Sequence, residues 1–156
     1  TGEGAFDSGE GEGFDLRAAV ADADELGLPH PWLVGWSFGT DVVLKHGDLD
    51  PVEGAILLSP PLRSATDADL DRWAASGRPL TALVPELDDY LRPDEARARF
   101  ARVPQAEVVG VEGAKHLWVG EKYVKIVLGA IAEHLVPGMG PLPDEYDGPM
   151  ERWSDL

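Results

Sequence analysis

Cysteine is absent from the 156 residues, which excludes disulfides, thiolate metal sites and a cysteine nucleophile. Positive charge is scarce: 13 Lys and Arg stand against 29 Asp and Glu, a formal net charge of −16. A surface that binds duplex nucleic acid needs clustered cations to displace counterions from phosphate, and this chain carries the opposite field. Nucleic acid and anionic membrane are therefore poor partners. Long apolar runs are missing as well. No stretch approaches the ~20 apolar residues of a membrane-spanning helix, and no charged-then-apolar leader opens the chain. An initiator methionine is lacking too; Thr1 opens a glycine-rich acidic run, as expected of a processed or truncated chain or part of something longer. The expected compartment is the cytoplasm. Against these absences, 44% of the residues are hydrophobic and 27% charged, so the chain should bury a core within one domain.

Residues 1–13 read as a loop, with five glycines and no apolar period. Asp15 then caps a helical pattern in which Leu16, Ala19, Val20, Ala23 and Leu26 share a face, and Gly27 stops it. Residues 32–36, Trp-Leu-Val-Gly-Trp, form a short apolar run bounded by turn residues, the signature of a buried parallel strand. A helix follows from Ser37 to near Gly47. The alternation then repeats. Residues 52–59 read as a second strand, and Thr66 opens a helix with Asp67 and Asp69 in its first turn, a buried stripe of Leu70, Trp73 and Ala74, and a stop at Gly77. Residues 79–84 form a third strand. Pro93 starts a helix with Asp94 and Glu95 early and Arg97, Arg99 and Arg102 late, as the macrodipole favours. Residues 107–111 form a fourth strand. Tyr123, Ile126, Val127, Ala130 and Ile131 stripe a last helix, ended by Pro137-Gly138. The expected fold class is α/β: a parallel sheet of about four strands with helices on both faces. Residues 1–136 make up the expected domain and residues 137–156 a Pro-rich acidic tail.

In open parallel sheets chemistry gathers at the carboxyl ends of the strands. After the first strand comes Gly35-Trp36-Ser37-Phe38-Gly39, a G-x-S-x-G match between an apolar strand and a helix. Such a turn strains its central residue, and the flanking glycines leave room for it. Ser37 would stand at a helix N-terminus, where developing negative charge is favoured. The plainer reading is a Gly-rich turn with Ser37 as helix N-cap. A serine nucleophile needs a base. His46 and His134 lie in last helical turns, and His30 precedes its strand on the wrong edge of the sheet. Only His116 follows a strand, which places it on the Ser37 edge. The base needs an orienting carboxylate, and the segment after the third strand offers Glu86, Asp88 and Asp89. The order Ser, acid, His is that of α/β-hydrolases. No histidine pair has metal-ligand spacing, and the reading calls for neither a metal nor a cofactor.

With these residues in place the chain resembles the α/β-hydrolase superfamily, and within it the dienelactone-hydrolase-like hydrolases, from about Gly4 to Val136. The resemblance rests on Gly4-Ala5-Phe6-Asp7 and Gly9-Glu10-Gly11-Glu12-Gly13-Phe14-Asp15, on Gly35-Trp36-Ser37-Phe38-Gly39 and on Ser59-Pro60-Pro61. Glu86-Leu87-Asp88-Asp89 and Gly113-Ala114-Lys115-His116 complete it. It implies Ser37 as nucleophile, His116 as base, and an oxyanion or binding role for Trp36 and Phe38, with the Phe38 backbone N–H as first oxyanion donor. For the acid, Pro85 standing where the family has glycine points to Asp88, whereas counting back from Pro93 favours Asp89; Asp88 is preferred. The resemblance covers the second half of such a fold. About four further strands would precede Thr1, and one of their loops would supply the second oxyanion donor.

The first reading is a serine hydrolase of carboxylic esters or related small acyl compounds. Acyl transfer to an acceptor other than water shares the same residues. The alternative is a non-catalytic binding or interaction module that lacks a complete oxyanion hole. The strand at residues 32–36 would lie at an open sheet edge, so self-association or pairing with a preceding segment is expected.

Overall fold

The computed structural model describes residues 7–138 and 140–143. The expected alternation is present: α1 (Glu12–Glu25), β1 (Trp32–Trp36), α2 (Phe38–His46), β2 (Gly54–Leu58), α3 (Asp67–Ser76), β3 (Leu80–Pro85), α4 (Pro93–Phe100), β4 (Ala106–Val111) and α5 (Glu121–Leu135). The four strands are all parallel and lie in chain order, β1-β2-β3-β4. Each crossover therefore steps the same way across the sheet. Right-handed connections then put α2, α3 and α4 on one face.

That face holds the larger core. Val43 and Leu44 of α2, Leu70 and Trp73 of α3, and Ala96 and Phe100 of α4 close over Ala55, Leu57, Leu80, Ala82 and Val84. On the other face α5 packs Tyr123, Ile126, Val127, Ala130 and Ile131 against Ile56, Leu58, Leu83 and Val111. β2 and β3 are buried along their whole length, as near-continuous apolar runs require. β1 takes the edge position expected of it but is not the buried strand that its apolar run suggests. Val34 and Trp36 are 46% and 50% exposed.

Local boundaries have local causes. Thr66 is the N-cap of α3 in a capping box with Asp69, and Gly77 ends the helix in the left-handed conformation. Burial works against the Asp69 charge, but hydrogen bonds from Thr66 and Arg72 prevail and hold its carboxyl below the usual range. α1 starts at Glu12 instead of being capped by Asp15, so residues 12 and 13 of the expected loop are helical, while residues 1–6 of it lie outside the described residues. Within α1 position 13 is held to glycine by packing, since a Cβ there would lie 2.5 Å from the His46 ring of α2. Ala19 and Leu26 of the expected stripe are exposed, and the buried positions of the helix are Val20 and, outside that stripe, Gly13. Arg102 lies past the end of α4, where it pairs with Asp71 of α3. β2 is shorter than expected, since Val52 bonds in a turn to Leu49 and Ser59 leaves the extended region at φ 51°. Most of the expected tail lies outside the described residues. Among those described, no helix is long and apolar enough to cross a membrane.

Candidate active site

Ser37 follows β1 at φ 50° and ψ −120°, outside the regions favoured for side-chain-bearing residues. The turn is forced by the close approach of α2 to β1. A Cβ on Gly35 would lie 2.8 Å from the Gly39 carbonyl oxygen and 2.9 Å from the Thr40 Cα. Gly39 answers no such demand: among the described residues a Cβ there would meet nothing within 4 Å. The room expected of both glycines is thus supplied by Gly35. Ser37 occupies the N-cap position of α2, yet its hydroxyl makes no capping bond.

The hydroxyl goes instead to His116. Ser37 Oγ lies 2.8 Å from His116 Nε2, and His116 Nδ1 lies 2.9 Å from Asp88 Oδ2. With Asp88 ionised, its oxygens only accept, so Nδ1–H donates to Asp88 and Nε2 accepts from Ser37. The three residues follow β1, β3 and β4, all at the carboxyl edge of the sheet. Asp88 is buried, and its other oxygen accepts from the Tyr90 backbone N–H at 2.8 Å. That bond fixes the carboxylate and leaves Oδ2 for the imidazole. Asp89 is exposed. Glu86, the third carboxylate in this segment, ties the two loops together by accepting from Gly113 N at 2.8 Å. Tyr90 also packs its ring edge-on to the His116 ring, centroids 4.7 Å apart.

The other histidines are placed elsewhere. His30 pairs with Glu53 on the surface, His46 Nε2 meets the Gly9 carbonyl, and His134 Nε2 meets the Thr81 hydroxyl near the amino end of β3. Trp36 turns its indole toward the His116 loop, donating from Nε1 to the His116 carbonyl at 3.3 Å. Phe38 lines a cavity of about 510 Å³ beside Ser37, with Pro61, Arg63 and Tyr90 on its walls.

One wall is held by a residue that the sequence reading passed over. Asp41 is buried one turn after Ser37, and its Oδ2 accepts from the backbone N–H groups of Arg63 and Ser64 at 3.0 and 2.9 Å. The available signal was a carboxylate on the apolar face of α2, which needs a partner to be buried there.

Comparison of the whole structure with solved ones places this geometry in a known architecture. An alpha-beta serine hydrolase homologue from Coxiella burnetii superposes with a TM-score of 0.66 at 22% identity, over 90% of this chain and 65% of its own length. A lidless α/β serine hydrolase from Xanthomonas campestris gives 0.66 at 22%, over 88% of this chain and 62% of its own. The chain has the α/β-hydrolase fold. An esterase from Pyrococcus furiosus matches with a TM-score of 0.68 at 17% identity, over 86% of this chain and 65% of its own. The chain thus spans a little under two thirds of the length of these three α/β-hydrolase-fold proteins. No protein-family model matches the sequence, and no curated protein does.

Proposed function

We propose that the protein is a serine hydrolase acting on carboxylic esters of small acyl groups, with Ser37, His116 and Asp88 as its triad. The observation that carries this reading is the continuous pair of bonds through the imidazole, 2.8 Å to Ser37 and 2.9 Å to Asp88. Ser37 Oγ attacks the ester carbonyl carbon as His116 Nε2 takes its proton, and Asp88 stabilises the imidazolium. The carbonyl oxygen gathers negative charge at the head of α2, where the Phe38 backbone N–H serves as a donor and the helix dipole is favourable. His116 returns the proton to the departing alkoxide, leaving an acyl-serine. Water, deprotonated by the same imidazole, then releases the acid and restores Ser37. Every proton moves through one ring.

The cavity beside Ser37 is within the usual range for small-molecule sites, about 300–1,000 Å³, and α3 is the one helix between β2 and β3. Both favour short acyl groups over long lipid chains. The Pyrococcus neighbour and a further one from Rhodothermus marinus are described as esterases, which favours esters over other acyl compounds.

The test is hydrolysis of short-chain p-nitrophenyl esters by the parent and by Ser37→Ala. The variant is expected to lose about 10⁴–10⁶ in kcat while keeping the parent's melting transition. Equal turnover in both would remove Ser37 from the mechanism.

A further inference from the structure

The ends of β1 and β2 share a feature that the proposed chemistry uses only once. Ser59 follows β2 as Ser37 follows β1. Both residues have φ close to 50°, and the N–H of each donates to the neighbouring strand at 2.9 Å, Ser37 to Leu58 and Ser59 to Leu83. A positive φ costs a side-chain-bearing residue relative to glycine. Ser59 is also buried. A buried serine in a conformation suited to glycine calls for a role for its hydroxyl.

That hydroxyl donates to the carbonyl oxygen of His116 at 2.9 Å. The indole Nε1–H of Trp36 donates to the same oxygen at 3.3 Å. A carbonyl oxygen has two lone pairs, so the His116 backbone is gripped from β1 and β2 while its ring bonds across to Ser37 and Asp88. We infer that Ser59 and Trp36 are positioning residues that fix the His116 backbone so that its imidazole bridges Ser37 and Asp88. Both act through the His116 backbone carbonyl. The inference rests on the hydrolase reading for its effect on rate but not for its effect on the imidazole.

Two variants separate positioning from simple structural support. Ser59→Gly removes the hydroxyl and relieves the backbone, so the fold should persist. Trp36→Phe removes the N–H and keeps a ring at a half-exposed site. Misplacing reacting groups by an ångström costs up to about 10²-fold in rate. Ser59→Gly is expected to lower kcat by about tenfold with KM within about twofold, and Trp36→Phe to lower it by about threefold. In the NMR spectrum, the hydrogen-bonded Nδ1 proton of His116 should be sharp in the parent and broadened by exchange in both variants. Parent-like kcat in either folded variant, or an unchanged Nδ1 proton, would overturn the inference. Should Ser59→Gly fail to fold, Trp36→Phe decides alone by the same two readouts. Failure of the hydrolase reading is seen separately, as equal turnover by the parent and Ser37→Ala, and the proton measurement still judges the positioning.

Discussion

Asp88 and Asp89 are neighbours in sequence with opposite environments. The first is buried and bonded to both Tyr90 N and His116 Nδ1, and the second is exposed. Asp88→Asn is accordingly expected to lower kcat by about 10⁴, since the amide can donate where the carboxylate accepts and so favours the wrong imidazole tautomer. Asp89→Asn should change it by less than about threefold, a small fraction of the triad effect. Steady-state kinetics on one ester decides the ranking, and the reverse order would reassign the acid. Strand order alone brought Ser37 and His116 to one edge. Choosing between adjacent carboxylates depended on a loop bond, Tyr90 N to Asp88, that no periodicity encodes. Asp41 and Ser59 were obscured for a related reason: each bonds backbone atoms more than twenty residues away.

Among elements, the strand–turn–helix of β1 and α2 meets its steric constraint in a single glycine. An added Cβ at Gly35 meets backbone atoms, the Gly39 carbonyl and the Thr40 Cα, which cannot swing aside as a side chain would. Gly35→Ala is therefore expected to destabilise by about 1–3 kcal/mol, as overpacking does. Gly39→Ala adds a methyl to open space in α2 and should be neutral or stabilise by up to about 1 kcal/mol, alanine being the better helix former. Urea melts of the two variants check this, and equal effects would contradict the assigned close approach. β1, α2, α3 and α4 were legible because their caps and apolar periods agree: Thr66 and Gly77 bracket α3, and Pro93 opens α4. The start of α1 was not. Its glycines read as loop, whereas Gly13 is demanded by helix packing against His46.

As a whole molecule the chain stacks four parallel strands in order, which apolar runs alternating with helical patterns made readable. Less readable was how unevenly the two faces are covered, with α2, α3 and α4 on one and α5 on the other, whereas the open edge at β1 was expected. β1 pairs with β2 alone among the described residues, and Val34, Trp36, Leu117, Val124 and Leu128 are exposed on that strand, the His116 loop and α5. An open apolar strand edge is a template for pairing with another chain. These 156 residues are therefore expected to sediment as concentration-dependent oligomers, and a strict monomer with a sharp melt would show that the edge is covered. The central claim, that the sheet's carboxyl edge activates Ser37 through His116 and Asp88, is tested most directly by a fluorophosphonate probe read by intact and peptide mass spectrometry. Such a probe reports an activated serine without requiring the natural substrate. One adduct on Ser37 in the parent, none in Ser37→Ala and a strongly slowed reaction in His116→Ala are predicted. A parent that stays unlabelled, or an adduct on another serine, would contradict the account.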